Sequence, residues 1–448
     1  MIALRKFYIV LVFSALSLAA FGQNNHTDHD HTGGSHAEPA TEAAHSDESH
    51  ADAGHADAAE AAHGEGESHG CGHPAEENPE FNASETALHH IADANAIHIV
   101  GDVYLHLPCI LYAPSAGWTF TTTSAFHPHH HGNGTMAVDG YVLVHGNVMR
   151  VKDENFPKGE VVVTGPTHEE REVNGKPKMI YFVQANGNCY ELDAKTSYDG
   201  GMLGGGITSF SDFSITRNVF TMLLTVLMLF FVFRAVAKSY KTRDGMAPKG
   251  LQNFFEPLVT FIRDDVAKPN IPKRYDEFMP FLLSVFFFIL GLNLIGQIPF
   301  FPGSANVTGN LSITLVLAVI TFIITNFKGN KHYWEHIFWM PGVPTVLKVL
   351  IITPIEILGL FLKPFTLMLR LFANVTAGHI VIISFVSLIF IFGDAGESMS
   401  GTAIGAAASI PLTLFMMALE LLVAFLQAYI FTMLSAVYFG MATEEAHH

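Results

Sequence analysis

LKPFTLMLRLFANVTAGHIVI, residues Leu362 to Ile382, sets Arg370 inside an apolar run long enough to lie within a membrane. A charged side chain at the centre of a bilayer helix costs roughly 2.5 to 3.5 kcal/mol on insertion scales, so such a residue faces protein or a water-filled path. Arg370 is a functional candidate on that ground alone. The tract around it, Val349 to Phe392, runs about 44 residues without a polar loop. As one helix it would measure about 66 Å, more than twice the ~30 Å hydrocarbon thickness. Two readings are open: Lys363-Pro364 marks a turn between two spans, since proline disfavours continuing a helix, or the tract is one strongly tilted helix. Geometry speaks for the tilted helix. Glu356, Lys363 and Arg370 recur at seven-residue steps that drift only about 20° each, forming one polar stripe. Asn374 stays near that stripe, and His379 falls on the opposite face.

The final tract, Ala403 to Tyr438, is also too long for an upright span. Glu420 and Gln427 share one of its faces, with Tyr438 close to the same line. Two over-long helices joined by residues 393–401 predict an antiparallel hairpin lying obliquely in the bilayer.

Upstream, Val219 to Phe233 reads as the core of a first span, followed by Arg234, Lys238, Lys241, Arg243 and Lys249. The positive-inside rule assigns that loop to the cytoplasm. Leu251 to Val266 mixes apolar residues with Glu256, Arg263, Asp264 and Asp265, as an interfacial helix would. Further spans are expected over Phe278 to Ile298 and Leu311 to Phe327, the second returning to Lys328 and Lys331. The C-terminus is then cytoplasmic and the N-terminal region extracytoplasmic.

The N-terminus has Arg5 and Lys6, a short apolar core and small residues up to Gly22, the pattern of a cleaved signal peptide over residues 1–22. Residues 23–78 are poor in large apolar side chains and contain ten histidines, so a disordered tether with some metal affinity is expected. Its acids dominate the formal charge of −17, whereas the later loops are basic; nucleic-acid binding is not indicated.

Residues 79–206 change to aromatic and β-branched runs. Strands are expected at Ile97 to Tyr104, Trp118 to Ser124, Gly140 to His145, Glu160 to Thr164 and Met179 to Ala185, with turns at Gly146-Asn147 and Gly187-Asn188. The run Phe126-His127-Pro128-His129-His130-His131 offers metal ligands or simply a polar loop. Of the three cysteines Cys71, Cys109 and Cys189, the latter two lie in this region, and a Cys109–Cys189 disulfide is expected. The fold class is thus a mainly α membrane protein of about five membrane helices, preceded by a small β-rich domain and a disordered tract.

The runs LKPFTLMLRLFANVTAGHIVI and ALELLVAFLQAYIFTMLSAVYF resemble the signature helices of subunit a of F-type ATP synthase, and the resemblance extends from about Ser211 to the C-terminus. It implies a proton-translocating stator subunit with two half-paths, working with a ring of c subunits, the b subunits of a peripheral stalk and the lipid bilayer. It implies no catalytic chemistry and no cofactor on this chain, in keeping with the absence of a GxxxxGK[ST] phosphate loop from the sequence. By the same resemblance Arg370 faces the ring, Asn374 is its polar neighbour, Gln427 lies across the hairpin and Glu356 belongs to the cytoplasmic-side path. His379 and Glu420 match the titratable pair of the other path, with acid and imidazole exchanged relative to many bacterial members. Asn306, with Asn310 and Ser312, is similar to the polar start of the third span. The competing reading is a metal-cation transporter fed by the histidine-rich tract, which requires histidine and carboxylate ligands clustered within the spans.

Overall fold

A computed structural model describes residues 93–444 apart from 101–102, 130–131, 174–175, 197–205, 244, 299–304, 340–343 and 394–397. The signal peptide, the histidine-rich tract with Cys71, and His130 and His131 lie outside the described residues.

The N-terminal half is built of antiparallel strands: β1 (Ala96–Val100), β2 (Val103–His106), β3 (Pro108–Ala113), β4 (Gly117–Thr122), β5 (Pro128–His129), β6 (Asn133–Gly134), β7 (Met136–Val138), β8 (Tyr141–Val144), β9 (Asn147–Val151), β10 (Glu160–Val162), β11 (Thr164–Val173), β12 (Lys176–Ala185), β13 (Asn188–Asp193) and β14 (Ser211–Asp212). Seven form one sheet in the order β10-β7-β8-β9-β13-β12-β11, and β14-β3-β4 form a second. Strand β8 is buried on both faces, and its period-2 alternation sorts its residues between two cores. Val142 and Val144 join Met149 and Val183 on one side, while Tyr141 and Leu143 meet Leu111, Phe126 and Phe210 on the other.

The single strand expected over Ile97 to Tyr104 is two strands, β1 and β2, paired as a hairpin. The turns fall one residue earlier than expected, at His145-Gly146 and Asn186-Gly187, where both residues of each pair have positive φ. That is the geometry whose twist matches two antiparallel strands, and it suits glycine at the second place. The expected Cys109–Cys189 bridge does not form: Cys109 is a free thiol, whereas Cys189 is disulfide-bonded. The alternation of β3 points Cys109 into the core with Leu111 and Ala113, where burial, with the Asp212 carboxylate adding to it, pushes its thiol up to about 12.

The main helices follow among the described residues. They are α1 (Arg217–Thr242), α2 (Leu251–Phe261), α3 (Tyr275–Gly296), α4 (Leu311–Lys328), α5 (Lys331–Phe338), α6 (Thr353–Phe392) and α7 (Met399–Thr443). A π-helical turn, Ile262–Ala267, prolongs α2, and a short helical lead-in extends the α6 run back to Thr345. Among the described residues five helices, α1, α3, α4, α6 and α7, are long and apolar enough to cross a membrane. The central one is α3, whose phenylalanines Phe281, Phe286 and Phe287 pack against Phe439 of α7, Phe425 of α7 and Phe233 of α1 respectively. Polar caps begin two of the spans. Thr216 Oγ1 accepts from Val219 N at 3.4 Å for α1, and Asn310 Oδ1 accepts from Ser312 N at 2.9 Å for α4.

The two-span reading of the Arg370 tract is excluded, because α6 continues unbroken through Pro364 for 40 residues. Proline removes one backbone hydrogen bond there. Helix α7 packs alongside this stretch: the Lys363 ammonium sits 5.7 Å from the Tyr438 ring centre, and Leu360 shares a core with Ala442. Farther along, Ser409 Oγ donates to the carbonyl of Phe385 at 2.5 Å. Residue numbers rise on α6 as they fall on α7, so the two are an antiparallel hairpin. At its tight end a Cβ on Gly405 would lie 2.9 Å from the Leu388 carbonyl oxygen, so only glycine permits that approach.

Candidate ion path

The polar residues of the hairpin fall into two separate groups with Arg370 between them. On one side, His379 Nδ1 lies 2.5 Å from Glu420 Oε1, both side chains being largely buried. Room for the carboxylate comes from Gly378, where an added Cβ would stand 3.1 Å from Glu420 Oε1. Helix α3 reaches the same region: Gln297 Nε2 donates to the Glu420 carbonyl at 2.9 Å, and Asn293 Nδ2 to the Ala424 carbonyl at 3.3 Å. The segment before α4 closes the cluster. Thr308 Oγ1 donates to Asn293 Oδ1 at 2.7 Å, and Asn306 Oδ1 accepts from Gly309 N at 3.0 Å. Thr376 Oγ1 then donates to the Gly309 carbonyl at 3.4 Å, tying that segment to α6. Asn306 Nδ2 is buried and has no protein partner among the described residues.

The other group lies toward the N-terminal end of α6. Lys363 and Tyr438 line a small cavity with Thr325, Asn326 and Tyr333. Glu356, two turns before Lys363, acts electrostatically on both Lys363 and Tyr333. Tyr333 belongs to α5, so the short helix brings a phenol to this group.

Arg370 stands about 13 Å along the helix axis from His379 and about 21 Å from Glu356, at 1.5 Å per residue. It is half-buried and makes no ion pair among the described residues. Gln427 is buried on α7, one heptad beyond Glu420 and therefore in the stretch of hairpin that carries Arg370. Asn374 is exposed on α6. The structure thus brings His379, Glu420 and Asn306 into one region, keeps Glu356 in another, and leaves Arg370 between them.

Residue spacing missed Asn293, Gln297, Thr308, Thr376 and Gly378. A signal for two of them was present: Asn293 and Gln297 are four apart at the end of an otherwise apolar span, and hence on one face. Nothing in the spacing marked Gly378, whose role exists only because Glu420 of another helix sits over it.

Among the described residues no three histidine, cysteine, aspartate or glutamate side chains converge on a possible metal position. His106, His127 and His129 border one open cleft in the β part without converging. The metal-cation transport reading therefore has no support among the described residues.

Five apolar helices among the described residues, with an arginine placed between two separate polar groups, are the architecture of a multi-pass membrane protein. Residues 219–440 match the ATP synthase A chain family, and residues 86–200 match a domain of unknown function, DUF8433. The chain is 47% identical over 238 residues to ATP synthase subunit a 2 of Chlorobaculum tepidum, covering 52% of this chain and 64% of that protein. It is 46% identical over 240 residues to ATP synthase subunit a of Chloroherpeton thalassium, covering 53% and 69%. For subunit a 2 of Prosthecochloris aestuarii the identity is 46% over 243 residues, covering 53% and 71%. The chain belongs to the ATP synthase A chain family.

Proposed function

We propose that this chain is the proton-conducting stator subunit of an F-type ATP synthase, in which Arg370 faces the carboxylates of a rotating c ring. The observation that carries the reading is the placement of one arginine between two polar groups that do not meet. A ring carboxylate must be ionised at one moment and neutral while it crosses lipid. A guanidinium that keeps its proton stabilises the ionised form and cannot relay a proton itself. His379 and Glu420, with Asn306 near them, would form the extracytoplasmic half-path, while Glu356, Lys363 and Tyr333 would border the cytoplasmic one. Gln427 and Asn374 would provide polar neighbours to the arginine.

The uncovered flank of the hairpin suits a ring of apolar helices, since Ile355, Leu358, Leu362 and Leu369 of α6 and Leu414, Leu421 and Leu422 of α7 are all exposed. The b subunits of a peripheral stalk and the remaining ATP synthase subunits complete the assembly, and ATP chemistry belongs to those other subunits. Basic loops after α1 and α4 support an extracytoplasmic N-terminal region and a cytoplasmic C-terminus in a bacterial inner membrane.

The test is ATP-driven proton uptake in inverted membrane vesicles carrying the native chain or Arg370→Ala, with assembly checked by pull-down and sodium varied. Uptake lost in an assembled Arg370→Ala complex is expected. Unchanged uptake would overturn the assignment.

A further inference from the structure

The sheet β14-β3-β4 turns one face to its core and an aromatic face outward. Cys109, Leu111 and Ala113 of β3 are buried, so Ile110 and Tyr112 point the other way. The register sets Tyr112 opposite Trp118 and Ile110 opposite Phe120 of β4. On the other flank, Phe213 N donates to the Ile110 carbonyl at 2.8 Å, placing Phe213 beside the same pair. Trp118 contacts Tyr112, Phe120 and Phe213, with ring centres at 4.9, 6.2 and 5.6 Å. Trp118 is 55% exposed and Phe120 72% exposed, which is unusual for side chains of this size packed into one cluster.

This face is continuous with a membrane span. Phe213 precedes Arg217, the first residue of α1, by four residues, at most about 13 Å of extended chain. The apolar stretch of α1, Val219 to Phe233, covers about 23 Å at 1.5 Å per residue against a ~30 Å hydrocarbon core, so the polar Arg217 and Asn218 of its first turn mark the headgroup boundary. The joint between sheet and span is clamped. Ser214 N donates to Asp212 Oδ1 at 2.9 Å, Asn218 N to Asp93 Oδ1 at 3.0 Å, and Arg217 N to the Ala94 carbonyl at 2.7 Å. Asp212 is in turn held by Asn95 Nδ2 at 3.1 Å and by the buried Lys195 ammonium at 3.7 Å. The aromatic face cannot swing far from the bilayer without breaking these contacts.

We infer that the Tyr112–Trp118–Phe120–Phe213 face is a lipid-binding surface that rests in the headgroup layer beside the start of α1. Trp and Tyr are enriched at that depth because an apolar ring with a polar edge suits the boundary between chains and water. The surface anchors the β-rich domain to the membrane, and the inference stands whether or not the hairpin conducts protons.

The test uses the full-length chain reconstituted in phosphatidylcholine vesicles whose lipids are brominated near the headgroup or near the chain end. The Trp118 signal is the difference between native and Trp118→Phe protein, which removes the contributions of Trp334 and Trp339. Quenching of that signal by the headgroup-proximal bromines, weaker with the chain-end bromines, is expected. A Trp118 signal insensitive to both lipids would overturn the inference, as would one that becomes shielded only when other ATP synthase subunits are added. The Phe120→Ser variant should lower the quenching at least twofold while Cys109 stays inaccessible to maleimide, which reports an intact sheet.

Discussion

His379 of α6 and Glu420 of α7 face each other at 2.5 Å although 41 residues separate them in sequence. Around α6, His379 and Lys363 are sixteen residues, or about 160°, apart, yet both touch α7, through Glu420 and Tyr438 respectively. The two long helices therefore cross as they pack, and Arg370 lies between the two contacts.

If the pair relays protons, the two groups depend on each other more than on which helix carries which. Glu420→Gln and His379→Ala are each expected to slow proton uptake about tenfold or more with the ring still bound. The double exchange His379→Glu with Glu420→His should recover part of the rate. Equal rates in both single variants and the native complex would mean that the pair only satisfies two buried polar groups.

Gly378 leaves space for the Glu420 carboxylate. Alanine is the better helix former by roughly 0.8 to 1 kcal/mol, so Gly378→Ala should not destabilise the helix itself. Its Cβ nevertheless meets Glu420 Oε1 at 3.1 Å. The expected outcome is reduced proton uptake with an unchanged melting temperature, and Gly378→Val should lower both. Uptake and melting temperature are measured on the same preparations.

Thr308 donates to the buried Asn293 amide oxygen at 2.7 Å. Thr308→Val keeps the shape and removes the donor, leaving a buried acceptor unsatisfied at a cost of about 1 to 3 kcal/mol. A lower thermal midpoint of the detergent-solubilised chain checks this. The companion variant Thr376→Val, whose hydroxyl contact is longer at 3.4 Å, should shift the midpoint less.

Cys109 is expected to resist alkylation. Its thiol is buried and pushed up to about 12, so at pH 8 both access and thiolate fraction are low in the native protein. In the unfolded chain the thiol returns toward its ordinary range near 8.5 and becomes reactive. Because the folded value is raised, deprotonation above pH 8.5 favours unfolding, and the protection should weaken as pH rises toward 12. Mass spectrometry after maleimide treatment, with and without denaturant, reads the difference.

Much of the membrane part was legible in the amino-acid order. Span positions follow from apolar runs, and the hairpin follows from two tracts too long for upright helices. The unusual status of Arg370 follows from the cost of charge in lipid. The β part was read less well. The single strand expected over Ile97 to Tyr104 is a hairpin, and β3, β9, β11 and β13 were among the strands not anticipated: β3 alternates in burial although its residues PCILYA are nearly all apolar, and β11 is the polar run TGPTHEEREV, so neither shows period-2 patterning in its amino-acid order. Sequence alone also could not pair the cysteines, since spacing does not reveal that β3 turns Cys109 inward.

Sequence by itself determined which residues can lie in a membrane and at what angle each stands about its own helix axis, because both depend on local composition and a fixed 3.6-residue turn. Tertiary structure alone decided that Pro364 does not end α6, that His379 meets Glu420, that Gly378 leaves it room, and that Asn293 of α3 and Gln297 just after it bond to the backbone of α7. Helical periodicity carries no information about the axial register or crossing of a neighbouring helix. Those are set by how side chains of both surfaces interlock, and that requires both partners in place.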